Sequence, residues 1–336
     1  MTSMLVDNLH SSIKIDNPVH VIDLPKQVIK VEFSPYEWSH NLIAIAYPDE
    51  INIGIIKFQE ESEEMEEEIE FEILKSFELS SRGSRVHDLA WSPETSLNVI
   101  PKCLFLSCAT SEFNILVYST NMTDESNKQE LIGHRNYINS ISYESTGDYL
   151  ASVSDDLTCR IWDVKNSYEC SANFPLKSPG MSVRWHSEDN GKLLVGEKNG
   201  TIRVYNVERQ QAILSFDTNM VPLMDADWSP SNCYRVAAIV AGNLVIWDTT
   251  RPSRPIESRA LHPDGGRFLR YSPQSDHHIA TIGQPDNTLK IIHTNMKHPA
   301  INATLKLAGG LTWMFRLPYI CVGVDRSICL WKVATK

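Results

Sequence analysis

The chain has 336 residues, 42% of them apolar, and a formal charge of −11 at pH 7. That is ample for a core but longer than a usual single compact domain. Nine glutamates crowd between Glu60 and Glu72, and without them the balance is about −2, with none of the clustered basic charge that nucleic-acid binding needs. No stretch approaches the roughly 20 apolar residues that span a bilayer, and the opening MTSMLVDNLHSSIKID lacks the basic-then-apolar order of a secretory signal.

Residues 1–18 are expected to form a flexible N-terminus, and the strand-like run 19–24 (VHVIDL) stands ahead of everything that repeats. From there two ladders of seven run along the chain. The first is an aromatic closely followed by Ser-Pro or a near variant: Phe33, Trp91, Tyr143, Trp185, Trp228, Tyr271 and Trp313. Its last four steps are 42, 43, 43 and 42 residues. The second is Gly54, Tyr118, Trp162, Tyr205, Trp247, Ile292 and Trp331. A period in the low forties indicates one supersecondary unit copied seven times. A closed ring of such units over 19–336 is one body, and repeat architectures typically present surfaces to other proteins.

Within the first unit, Tyr36 and Trp38 in FSPYEWSH fall in an inter-strand turn, as satellite core or as an exposed anchor for a partner. The tract QEESEEMEEEIEFE follows as an acidic loop insertion at 59–70. A block of like charge is expected to stay solvated and mobile; contact with a basic partner is the functional alternative.

The third unit, 130–164, is the clearest. Its first strand carries Ile138, Ile141 and Tyr143, its second 150–153, and its third 159–163, with turns at 146–148 and 155–156. Short β-rich runs between turn residues suit a four-stranded antiparallel sheet. His134, Ser152, Asp156 and Trp162 are placed to satisfy one another across that sheet, since buried polar groups left unpaired are costly. A hydrolase triad of His, Ser and Asp is the weaker reading of the same residues.

Asp or Asn stands six residues before the second ladder at Asp156, Asn199, Asp286 and Asp325. Asn199-Gly200 suits a type I′ turn, with positive φ at both central residues; Gly242-Asn243 lies one residue later. The basic, proline-stiffened segment 251–255 puts Arg251 and Arg254 just after a Trp-Asp strand end, as candidate partner contacts. His277, His278, His293 and His298 lack zinc-site spacing. The seven cysteines are odd in number, contain no CxxC, and are expected to be buried free thiols of a reducing compartment. Sequons at Asn121, Asn199 and Asn302 are then coincidental. Phosphate-loop, dinucleotide, HExxH and EF-hand motifs are absent, so no catalytic residue, metal or cofactor is assigned. Only five residues follow Trp331, too few for a last outer strand, so 19–24 is expected to supply it and close the ring.

Gly133-His134, Trp162-Asp163 and Trp247-Asp248, with the period, carry a resemblance to WD-repeat β-propellers. The resemblance implies an all-β, seven-bladed WD40 propeller closed by an N-terminal strand, with His134, Ser152, Asp156 and Trp162 as a structural tetrad. The stretches 91–97, 151–163, 178–186, 197–206, 210–216, 221–228 and 246–255, and the place of the acidic insertion, resemble the small WD-repeat nucleoporins of the Y-shaped pore subcomplex. Blades six and seven match less well.

That resemblance implies a non-enzymatic scaffold subunit of the nuclear pore outer ring that docks on the 160-kDa nucleoporin and supports transport. It implies one copy within a hetero-oligomer, no direct nucleic acid or membrane insertion, residence at the nuclear envelope, and a kinetochore role in mitosis. The alternative is a substrate receptor of a cullin ubiquitin ligase. Such receptors tend to carry Arg two residues after Trp-Asp, where this chain has Lys165 and Thr250.

Overall fold

The computed structural model describes residues 16–334 apart from 62–64, 66, 80–82 and 124. Positions 1–15 of the expected N-terminal segment, and four positions of the acidic insertion, lie outside the described residues. Among the described residues, twenty-eight strands form seven four-stranded antiparallel sheets. Six blades are simple meanders, spanning 30–78, 86–132, 138–175, 180–217, 223–260 and 266–304. The seventh takes three strands from 308–332 and its outer strand, His20–Asp23, from the other end of the chain. First strands of successive blades lie against one another, so they line a central channel. Turns joining first to second and third to fourth strands share the lower face. Second-to-third turns and blade-to-blade connections share the upper face.

The ladders have a single geometric origin. In every blade, both ladder residues pair across the same second-strand residue: Ile43, Leu106, Leu150, Leu193, Val236, Ile279 and Ile320. Three residues abreast on one side of a sheet form a cross-strand row, and that row packs on the preceding blade. The core is accordingly seven clusters, each filling the gap between two neighbouring blades. The first ladder adds a polar tie. Trp91 Nε1 donates to the Glu32 carbonyl at 3.0 Å, Trp185 Nε1 to that of Ser142 at 2.9 Å, and Trp313 Nε1 to that of Arg270 at 3.2 Å. Each acceptor is the residue before the preceding blade's own ladder position. Gly54 departs from the aromatic rule because a Cβ there would lie 2.4 Å from the Phe71 ring, which takes up that space.

Closure is antiparallel. Val21 pairs with Cys329, and the strand is flanked by Val19 N–H to Leu330 O at 2.7 Å and Leu24 N–H to Arg326 O at 2.8 Å. This removes a free sheet edge. Blade seven meets blade one backbone to backbone: a Cβ on Gly309 would lie 2.4 Å from the Val28 carbonyl oxygen. Gly310 beside it holds φ +93°, a conformation at little steric cost only for glycine.

Two expectations are corrected. Asn199-Gly200 is not a type I′ turn, because of its two central residues only Gly200 has positive φ (+89°), with its N–H bonded to Glu197 O at 3.0 Å. It is a three-residue loop ending in a left-handed residue, and Phe113, Leu157 and Asn287 hold the equivalent position in their blades. Both central residues are left-handed instead at Ala241-Gly242, between the paired Val240 and Asn243. The seven cysteines are free, but only Cys108, Cys159, Cys321 and Cys329 are buried; Cys170 is exposed. Cys170 lies on an outer strand, one of whose sides faces solvent.

Candidate functional site

The four polar residues of blade three meet. His134 lies in the connection entering the blade, Ser152 on its second strand, Asp156 in the turn, and Trp162 on its third strand. Trp162 Nε1 donates to Ser152 Oγ at 2.9 Å, and Ser152 Oγ is 2.8 Å from His134 Nε2. His134 Nδ1 is 2.9 Å from Asp156 Oδ2, which also accepts from the Arg135 N–H at 3.0 Å. Burial holds the imidazole below its ordinary pKa, against the pull of Asp156. A neutral ring donating from Nδ1 to the carboxylate leaves Nε2 as acceptor, so the Ser152 hydroxyl donates to it. Ser152 is fully buried and its oxygen already accepts from an indole, which leaves it neither exposed nor poised as a nucleophile.

A related network occupies blade six, which has no Gly-His or Trp to flag it. His262 Nε2 is 3.0 Å from Thr281 Oγ1, and its Nδ1 is 3.2 Å from Thr288 Oγ1, whose hydroxyl donates to Asp286 at 2.8 Å. Thr281 pairs with Lys290 as Ser152 pairs with Arg160, two residues before the second ladder. Burial, reinforced by Lys290, pushes His262 down to about 4. The usable signal was Asp286 with a histidine two dozen residues upstream. Blade four uses charge for the same purpose: Glu197 accepts from the N–H groups of Lys177 and Ser178 and pairs with Arg203 at 2.6 Å.

The channel is lined by one residue per blade, directly preceding the first ladder: Glu32, Ala90, Ser142, Arg184, Asp227, Arg270 and Thr312. Two residues earlier stand Lys30, Asp88 and Asp225. Most of these charges are paired. Lys30 Nζ meets Asp88 at 2.7 Å, Arg270 meets Asp225 at 2.6 Å, and Arg184 lies 3.7 Å from Asp227. The aspartates also tie blades together, accepting the N–H groups of Ile141, Leu269 and Tyr271. Glu32 is the exception: its Oε2 is buried with no hydrogen-bond partner, and burial raises its carboxyl to about 7. At the lower mouth this lining opens into a cup of about 370 Å³ walled by the first-ladder aromatics.

Tyr36 and Trp38 stand on the lower face in and beside the turn Glu37–Ser39, their rings stacked 5.3 Å apart. Tyr36 Oη donates to Trp91 O and Trp38 Nε1 to Pro93 O, both at 3.2 Å, which clamps blade one to blade two. Tyr36 packs on the core, whereas Trp38 is 46% exposed beside Val99 and Ile100, 64% and 90% exposed; the Asn98 amide donates to Trp38 O at 3.0 Å. Arg251 and Arg254 are exposed on the same face, after the third strand of blade five. Blades one and five stand apart on the ring, so the aromatic pair and the arginines do not form one patch. The described part of the acidic insertion is also on this face and is anchored at its start. Glu60 bonds Lys332 and Tyr319 of blade seven, and Glu61 lies 2.9 Å from His40. In one of the ligase-receptor positions, Lys165 pairs with Asp148 at 2.7 Å. Among the described residues no group of three or more His, Cys, Asp or Glu is placed to hold a metal, and no helix is long and apolar enough to cross a membrane.

Comparison with known proteins agrees with this architecture. Residues 125–163 match the family "WD domain, G-beta repeat". The chain is 37% identical to nucleoporin Nup37 of Mus musculus and of Homo sapiens over 321 residues, covering 94% of this chain and 97% of each relative. It is also 37% identical to Nup37 of Drosophila melanogaster over 322 residues, 95% of this chain and 98% of that one. With both chains covered nearly end to end, the protein belongs to the Nup37 family of WD-repeat nucleoporins.

Proposed function

We propose that this chain is a non-enzymatic scaffold subunit of the nuclear pore complex, residing at the nuclear envelope as a rigid docking body. The observation that carries the reading is the 37% identity to nucleoporins over nearly the whole of both chains. The geometry supports the non-enzymatic part, since the Ser-His-Asp constellation is consumed in holding blade three together. We place the chain in the outer-ring Y complex, one copy docked on the 160-kDa nucleoporin, where it supports nucleocytoplasmic transport and follows the complex to kinetochores in mitosis. No direct nucleic-acid contact or membrane insertion is part of this role.

For the docking surface we assign the lower face around Trp38, Val99 and Ile100. Those side chains give a large apolar area held by Tyr36 and Asn98, the kind of aromatic anchor that dominates interface energetics. Arg251 and Arg254 are assigned as a second contact, across the ring. Tagging the chain at its natural expression level tests the reading. Fluorescence at the nuclear rim is expected; diffuse staining with co-purified ligase adaptor would replace the scaffold reading with the cullin one.

A further inference from the structure

The channel holds a charge that the fold does not use. Along its length stand four carboxylates (Glu32, Asp88, Asp225 and Asp227) and five cations, of which Lys30, Arg184 and Arg270 lie among the carboxylates and Arg85 and Arg267 lie higher. The three cations among the carboxylates are all engaged. Lys30 bonds Asp88; Arg270 bonds Asp225 and the Leu269 carbonyl; Arg184 bonds Ser140 Oγ at 3.2 Å and the Val183 carbonyl at 2.9 Å and faces Asp227. Glu32 is left over, with one oxygen buried and unpaired. The groups whose charge reaches it are Arg270, Lys30, Asp88 and Arg184, and its ring neighbours, Ala90 and Thr312, supply no cation. Arg85 and Arg267 stand at the opposite, upper mouth.

Two further buried polar atoms without partners belong to the same cavity. Trp228 Nε1 and Tyr271 Oη are both unbonded, on side chains 5% and 3% exposed. Among the first-ladder indoles, Trp228 alone lacks the carbonyl tie made by Trp91, Trp185 and Trp313. Orphaned buried polar atoms in a native structure call for an explanation, such as a ligand or water. Here all three belong to residues that line one open cup of about 370 Å³. The lining includes the aromatic residues Phe33, Tyr143, Trp185 and Trp313, a residue type suited to an aliphatic stem and to the cation–π attraction of its head group.

We propose that the lower mouth of the channel binds the side chain of a lysine or arginine presented by another protein chain, with the head group on Glu32 and the stem against the aromatic wall. The Glu32 oxygen without a partner calls for a donor, which a cationic head group supplies. The rim is open to the lower face, and Tyr36 belongs both to the cup and to the clamp under Trp38. The inference goes beyond pore assembly: it concerns a second contact, inside the ring, that would serve any partner reaching that face.

The test uses the full-length protein with N-acetyl-L-arginine amide and N-acetyl-L-lysine amide, and N-acetyl-L-norleucine amide as the uncharged control. Binding is followed by indole fluorescence and by saturation-transfer NMR on the probe. Saturable binding of a cationic probe is expected, with the norleucine probe at least about tenfold weaker, and a loss of about tenfold or more in Glu32→Gln. A second variant, Ala90→Lys, supplies a cation from the adjacent blade and is expected to abolish probe binding while the melting transition stays cooperative. Equal affinity for norleucine amide, unchanged binding by Glu32→Gln, or no saturable binding of either cation would each overturn the proposal. None of these results bears on whether the chain assembles into the pore.

Discussion

Replacing Ser152 by alanine removes one oxygen and leaves two buried groups without partners. The Trp162 indole N–H loses its acceptor at 2.9 Å and His134 Nε2 loses its donor at 2.8 Å, in a part of blade three where Ser152 is fully buried and Trp162 is 3% exposed. An orphaned buried polar group costs about 1–3 kcal/mol, so two of them predict a loss of about 2–6 kcal/mol in Ser152→Ala. Trp162→Phe removes the donor rather than the acceptor. In that background Ser152→Ala orphans only the imidazole nitrogen and should cost less. A double-mutant cycle by urea denaturation, followed by circular dichroism, is therefore expected to show coupling of about 1 kcal/mol or more. The m-value should not change, because the blade still folds. A Ser152→Ala loss below about 0.5 kcal/mol, or additivity of the two changes, would refute the relay as a stabilising network.

Protonation gives predictions of opposite sign. His262 titrates at about 4 in the folded protein against 6.5 unfolded, because burial and Lys290 disfavour its charge. Its contribution is therefore intact above pH 6.5 and lost as pH falls toward 4, up to about 3 kcal/mol; His262→Gln should flatten that limb in pH-dependent denaturation. Glu32, raised to about 7 from 4.5 by burial, destabilises the fold progressively as pH rises between those values. Glu32→Gln should then gain stability relative to the parent at pH 8 but not at pH 4.5. Gly309→Ala drives a Cβ to 2.4 Å from the Val28 carbonyl oxygen and should lower stability by about 1–3 kcal/mol in a melting experiment. Trp38→Ala should reduce recovery of the docking partner in pull-downs while leaving the melting temperature within a few degrees, since the ring is 46% exposed.

What the sequence revealed was whatever a fixed position demands by residue type. The two ladders were legible because each residue packs beside one apolar neighbour of the second strand, where apolar bulk is needed; Gly54 is an exception because the Phe71 ring takes up its space. The tetrad was legible because it needs four particular side chains. The blade-six network was not, since Thr281 replaces serine and the ladder residue is Ile292, so the histidine has no indole to accompany it. The channel was hidden for the opposite reason. Its position repeats in every blade, but Glu, Ala, Ser, Arg, Asp, Arg and Thr have no one chemistry in common, and only the ring brings them together. Turn geometry failed at Asn199-Gly200 because a three-residue loop and a two-residue loop use the same dipeptide.

Affinity purification of the tagged full-length chain from nuclear extract, under salt that preserves pore subcomplexes, tests the central claim most directly. The scaffold account predicts co-recovery of larger outer-ring nucleoporins, the 160-kDa subunit among them, in fixed proportion to the bait. Recovery of the folded chain without any Y-complex subunit would contradict it.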